Sequence, residues 1–214
     1  MNPSISVVIP VYNAESFLQK SLDSVFAQNV ADIEVICVDD GSSDRSLDIL
    51  KAYAEKEPRV IVLRQRNAGA GVARNAGVRV ARGRYLDFMD PDDFLAPRMF
   101  ETLLAKAERT AADIVISGMQ RYDAITEAYV RQDVFGNRVK GLTEVFSAQD
   151  VADRLFTSFL PSPCNKFIRR EFFVDNRLEF QALPRSNDLC CMFTALALAK
   201  RIGIVAKLGM TNMT

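Results

Sequence analysis

Three carboxylates fall within four residues in Asp90-Pro91-Asp92-Asp93, at the end of the apolar run Tyr85-Leu86-Asp87-Phe88-Met89. Hard divalent cations such as Mg²⁺ and Mn²⁺ take oxygen ligands and favour one or two carboxylates beside phosphate oxygens. Pro91 has a fixed φ and no N–H, so it ends the strand and stiffens the turn. Asp90 and Asp92 are then the pair expected to converge on one point. Read alone, the segment also fits a solvated acidic turn before a helix that starts near Pro97.

Three further stretches carry suitable chemistry. Tyr12 follows the run Ile5–Ile9, which Pro10 closes, and Asp39-Asp40-Gly41-Ser42-Ser43-Asp44 follows Ile33–Val38. An aromatic ring beside carboxylates suits a nucleobase: the ring stacks, and Asp39 or Asp40 can accept the N3–H of uracil. Ser42, Ser43 or Asp44 also fits as the cap of the next helix, and Asn13 as the cap of the first. Asn67-Ala68-Gly69-Ala70-Gly71 allows close backbone approach before a helix N-terminus, which suits phosphate. It matches neither GxxxxGK[ST] nor GxGxxG. Arg74, one turn into that helix, either reaches a phosphate or pairs with an acid.

The elements that must position these residues alternate. Strands are expected at 5–9, 33–38, 60–63, 85–89 and 113–117. Helices are expected around 17–26, at 47–53, over 73–81 and over 97–109. This order predicts an α/β fold with a mostly parallel central sheet and helices on both faces. Ligands bind such sheets at the carboxyl ends of the strands, where all four stretches collect. Beyond Gly118 a smaller α+β part is expected. It comprises a hairpin over 119–123 and 127–134, a helix over 147–159 capped by Ser147, and a loop over 161–170 leading into a helix. An apolar helix over 188–200 and a last strand at 202–205 complete it. Residues 1–118 and 119–214 form two halves that share one core.

Composition narrows the chemistry. Of 214 residues, 49% are hydrophobic and 25% charged, which describes a globular chain. Lys+Arg 27 against Asp+Glu 27 implies no basic face, so nucleic acid is not an expected partner. Cys37, Cys164, Cys190 and Cys191 show no CxxC spacing and read as reduced, buried thiols of a cytoplasmic protein. No signal-peptide pattern is present, and no apolar run approaches the roughly 18–20 residues of a membrane span. With no histidine in the chain, acid–base chemistry falls to Asp, Glu, Lys, Tyr or Cys.

Taken together, Pro10-Val11-Tyr12-Asn13, Val38-Asp39-Asp40-Gly41-Ser42-Ser43-Asp44, Asn67-x-Gly69 with Ala73-Arg74-Asn75-x-Gly77, and Gly83-Arg84-Tyr85 leading to Asp90-Pro91-Asp92-Asp93 resemble the family-2 glycosyltransferases of the GT-A, Rossmann-like fold. Asn165-Lys166-Phe167-Ile168-Arg169-Arg170 and Ser186-Asn187-Asp188 resemble segments of that family's capsule and exopolysaccharide branch, with Asn187 where the family's acidic pair has glutamate. The resemblance implies inverting transfer from a nucleotide diphosphate sugar, usually UDP-linked, to a saccharide or lipid-linked acceptor. It places Pro10, Tyr12, Asp39, Asp40, Asn67, Gly69, Arg74 and Asp90 at the donor, with Asp40 preferred for uracil. It places Asp90 and Asp92 at a Mn²⁺ or Mg²⁺ ion and makes Asp188 the general base. The plain alternative for Asp188 is a helix cap. The resemblance also implies work at the inner face of a membrane, with peripheral contact. The QxxRW motif of processive synthases is absent, so one sugar per encounter is expected. A sugar-nucleotide-binding module without turnover is the competing reading.

Overall fold

β-Branched runs alternate with amphipathic segments, and the chain folds accordingly into β1 (Ile5–Val11), α1 (Leu18–Phe26), β2 (Ile33–Asp39), α2 (Ser46–Lys56), β3 (Val60–Arg64), α3 (Ala70–Val80) and β4 (Tyr85–Phe88). Then come β5 (Phe94–Leu95), α4 (Met99–Thr110), β6 (Ile114–Asp123) and β7 (Ala128–Gln132). The remainder holds β8 (Val145–Phe146), α5 (Leu155–Ser158), β9 (Lys166–Arg169), α6 (Arg170–Asp175), α7 (Leu189–Leu198) and β10 (Ile202–Met213). The structure, a computed structural model, describes residues 2–123, 128–132, 135 and 142–213.

Among the described residues the strands form one sheet in the order β3-β2-β1-β4-β9-β6-β10-β5, with β7 on β6 and β8 on β10. Strands β1 to β4 run parallel. β9 lies antiparallel between β4 and β6, and β6 pairs parallel with β10. The long strands therefore share one direction, as the alternation predicts. Both faces are covered, so all seven residues of β1 are buried. Ile5, Val7, Ile9 and Val11 enter a core with Leu18, Leu22, Leu50, Phe100 and Leu103. Val8 points the other way, into a core with Ala73, Leu86, Phe88, Phe173 and Met192. Helix α3 lies so close on β1 that a Cβ at Gly77 would collide with Val8.

Several expectations need correction. β1 continues through Pro10 to Val11. Its pairing with β4 ends at Val8 opposite Phe88, so the missing N–H of Pro10 costs no ladder bond there. The stretch expected as a loop at 161–170 contains β9, in the middle of the sheet. The helix expected over 147–159 is instead a 3₁₀ turn, Ala148–Val151, followed by α5. Phe146 stacks on Phe159 with centroids 5.7 Å apart; one continuous helix would hold those residues about 20 Å apart. Ser147 does open the turn, in a capping box with Asp150. β10 outruns its expected end because it follows the long β6 through two register shifts. The 119–123 segment is the end of β6 and pairs antiparallel with β7, while residues 127, 133 and 134 of the expected partner lie outside the described residues. Cys190 is exposed rather than buried, since α7 turns it away from both cores. Among the described residues no helix is long and apolar enough to cross a membrane.

Candidate functional site

The C-terminal ends of β1 and β2 are stitched together by short-range polar contacts. Asn13 does not cap α1, which begins at Leu18; it takes a left-handed conformation, φ 49°, which asparagine tolerates. Its Oδ1 accepts from the Ser43 amide at 2.8 Å, and its own amide donates to Ser42 Oγ at 3.1 Å. Ala14 donates to Ser46 Oγ, Glu15 to Asp44 Oδ2, and Arg45 returns a bond to Glu15 Oε2. Asp44 also accepts the Ser46 amide at the start of α2. Tyr12, 52% exposed, stands on this braced edge.

Asp39 and Asp40 are both buried. Asp39 Oδ1 accepts from the Ser42 amide, and its other oxygen lies 3.4 Å from Arg64 Nε. Asp40 holds the glycine loop: Oδ1 accepts from Gln65 Nε2 and the Ala68 amide, and Oδ2 from the Gly69 amide at 2.8 Å. Gly69 sits at φ 91°, a region favoured by glycine, immediately before α3. Two of the loop amides, those of Ala68 and Gly69, are thus engaged by a carboxylate of the same chain.

The acidic segment after β4 is a turn closed by the Asp93 amide donating to Asp90 O at 3.1 Å. Pro91 and Asp92 occupy its corners. The oxygens of Asp90 and Asp93 gather with Cys164 Sγ within 4.8 Å of one another. At the inner side of the turn Asp90 thus also has Asp93 beside it, a neighbour the motif spacing does not single out. Burial, and then the charges of Asp90 and Asp93, push the Cys164 thiol well up. Burial and the neighbouring Asp90 charge also raise Asp92.

Arg74 pairs with an acid. Its Nη2 lies 2.5 Å from Asp90 Oδ1, and its Nη1 donates to Asn187 Oδ1 at 2.9 Å. Burial opposes its charge, but Asp90 alongside holds the guanidinium above its ordinary value. The guanidinium also sits 5.4 Å from the Phe180 ring centroid. Asn75 exchanges two bonds with the Phe180 backbone, and the Gln181 amide donates to Asn187 O, so α3 fixes the segment that carries Asp188. Asp188 occupies the N-cap position of α7, yet its side chain makes no capping bond.

Pro10, Tyr12, Arg74, Asp90, Asp92 and Asp188 line one cleft of about 400 Å³, with Ser186 and Asn187 on its far wall. Asp39, Asp40, Asn67 and Gly69 do not line it; the Asp40 bonds hold the loop from which α3, and hence Arg74, starts. Cys164, Asp93 and Lys166 were not singled out as site residues from the sequence. Lys166 is fully buried and its Nζ donates to Leu160 O at 2.5 Å, Ser162 O at 2.7 Å and Asn165 Oδ1 at 2.9 Å. Burial pushes its ammonium down to about 7, against the opposing pull of Cys164 and Asp188. It anchors the loop that brings Cys164 under Asp90. The sequence carries no period-2 signal there: in Lys166-Phe167-Ile168-Arg169 the two apolar residues are adjacent.

A family profile described as Glycosyl transferase family 2 matches residues 6–176. The chain is 36% identical over 180 residues to the uncharacterized glycosyltransferase EpsJ of Bacillus subtilis (strain 168), covering 84% of this chain and 52% of that protein. It is 34% identical over 206 residues to glycosyltransferase GlyG of Streptococcus pneumoniae serotype 4, covering 94% of this chain and 68% of that one. The crystal structure of S. aureus TarS 1–349 in complex with UDP-GlcNAc superposes with a TM-score of 0.84 at 25% identity, covering all of this chain and 59% of that one. The chain thus spans about half to two thirds of the length of these relatives.

Proposed function

The chain belongs to glycosyl transferase family 2 and has its GT-A fold, and on that premise we propose that it transfers a sugar from a UDP-linked donor to a hydroxyl of a saccharide or lipid-linked acceptor. The product belongs to a cell-surface polysaccharide or teichoic acid. Residues 1–118 serve the donor and 119–214 the acceptor, on the cytoplasmic side of the membrane. One observation carries the reading: Asp188, uncommitted to its own helix, lines the same cleft as Tyr12, Asp90 and Asp92.

Each residue takes a role in that cleft. Tyr12 stacks on the base, and Pro10 forms the floor beside it. Asp39 and Asp40 shape the base-binding edge, with Asp40 also holding the Asn67–Gly69 loop. Asp90, fixed by Arg74, receives the ribose hydroxyls. Asp92, at the free corner of the turn, presents oxygen donors to the cleft. These all-oxygen ligands fit a hard cation, and the like charges of Asp90 and Asp92 favour one. A bound Mn²⁺ or Mg²⁺ supplies charge neutralisation for the leaving diphosphate. Asp188 takes the proton of the acceptor hydroxyl as its oxygen bonds to the anomeric carbon. The carbon–oxygen bond to the diphosphate breaks on the opposite side, with inversion.

The UDP-GlcNAc complex of TarS makes that donor the first to try. With UDP-GlcNAc and Mn²⁺, Asp188→Asn should lower donor turnover by about 10²–10⁴-fold while leaving UDP affinity unchanged. Unchanged turnover would remove Asp188 from the base role. UDP binding with no turnover of any UDP-sugar by the unmodified chain would favour a sugar-nucleotide-binding module.

A further inference from the structure

α3 rises from the cleft at Ala70 and ends at Val80, about 15 Å away. At that far end a groove of about 440 Å³ opens between α3 and α6. Its floor is apolar, with Val78, Phe173 and Leu178, and its rim carries Arg79, Arg170 and Arg177 against a single acid, Glu179. Neighbouring arginines are matched: Arg82 with Glu34, Arg84 with Glu108, Arg169 with Asp113 and Glu171. The three on the rim make no ion pair among the described residues. Arg170 is held in place by its Nε bond to Gly83 O at 2.9 Å.

Arg177 has an unusual backbone. α6 closes with the Arg177 amide on Val174 O and the Leu178 amide on Phe173 O, a pairing that needs a left-handed residue at Arg177. Its φ is 51°. Glycine is easiest there, and an arginine exchanges backbone ease for a cation at the rim. Two aliphatic side chains are exposed nearby: Val174, 47% exposed, on the groove lining, and Val80, 39% exposed, which follows Arg79 in the chain.

We infer that this face docks the protein on an anionic phospholipid surface. The guanidinium groups of Arg79 and Arg177 pair with lipid phosphates, to which arginine offers a bidentate fork. Val80 and Val174 enter the interfacial layer beside them. Exposed aliphatic groups next to unmatched arginines fit an amphiphilic surface better than a free phosphate, which would use the charge alone. The chain as a whole carries no net charge, so the attraction is local and screened by salt. The inference is independent of the transfer reading, since docking requires no donor and no turnover.

Vesicle flotation tests it. The protein should float with vesicles containing about a third anionic phospholipid and not with purely zwitterionic ones. Arg79→Glu/Arg177→Glu should weaken that partition by roughly 30-fold or more, with an unchanged melting temperature, and added salt should weaken the wild type. Arg177→Gly gives a second arm in case the double variant folds poorly: it relieves the left-handed position, should melt no lower, and should still lose roughly fivefold in partition. Equal binding to both vesicle types, no binding to either, or partition unaffected by these variants would overturn the inference. So would binding of inorganic phosphate at Arg79 and Arg177 without vesicle binding, which would assign the groove to a free anion.

Discussion

Arg74 does two jobs with one planar group, clamping Asp90 and bonding Asn187 from 113 residues further along the chain. Asn187 suits this arrangement. A neutral amide accepts one guanidinium N–H and leaves the charge of Arg74 to Asp90, whereas a glutamate there would compete for it. Lys166 is the second cation buried near the cleft. Its ordinary value is 10.5 and burial brings it to about 7. Between those values the unfolded chain binds a proton that the folded chain does not, so this group makes stability rise with pH across that window. Urea midpoints taken at pH about 7 and about 9 should show the rise in the wild type, and Lys166→Met should flatten it. An equal slope in the variant would assign the effect elsewhere. Tyr12, Asp90, Asp92 and Asp188 were legible as candidates because short motifs carry them. The partners of Arg74 and the duty of Lys166 were not, because both are set by contacts between distant segments. Asp40 shows the same limit: a carboxylate in a motif looks free for a ligand until the fold gives it three donors of its own.

At the scale of elements, the first four strands and three helices were readable because each βα unit has one apolar period and a clear stop. β9 was not, since it is four residues long and opens on a lysine, which reads as a surface residue until three acceptors are seen around it. The 147–159 segment has helical spacing, yet the Phe146–Phe159 contact overrides that local preference. β4 contains a strain of its own. Asp87 points into the apolar face of the sheet, opposite Val7, and its Oδ2 is buried with no hydrogen-bond partner among the described residues. Burial pushes its carboxyl well above the ordinary range. The folded chain therefore holds this proton more tightly than the unfolded chain. The contribution of this group to stability is full at acid pH and is lost as pH rises through the raised value. Asp87→Leu should stabilise the protein at neutral pH by about 1–3 kcal/mol and abolish that fall. Denaturant titration of both proteins across pH reads it directly, and a variant less stable than wild type at neutral pH would refute the assignment.

At the scale of the whole molecule, the sheet sets one edge against another. The cleft lies where the tips of β1 and β4 meet the segment before α7, and the arginine groove lies at the opposite end of α3. One helix thus connects a proposed donor site with a proposed docking face. A ligand that closes contacts between the two halves should stabilise the entire fold. UDP with Mn²⁺ at about a hundred times its Kd adds about 2.7 kcal/mol, or roughly 5–10 °C in melting temperature for a chain of this length. The most direct test of the central claim is calorimetric titration with UDP, with and without Mn²⁺, on the wild type and on Asp92→Ala. Binding should require the metal and disappear in the variant. Metal-independent UDP binding that survives in Asp92→Ala, or no UDP binding by the folded wild type, would contradict it.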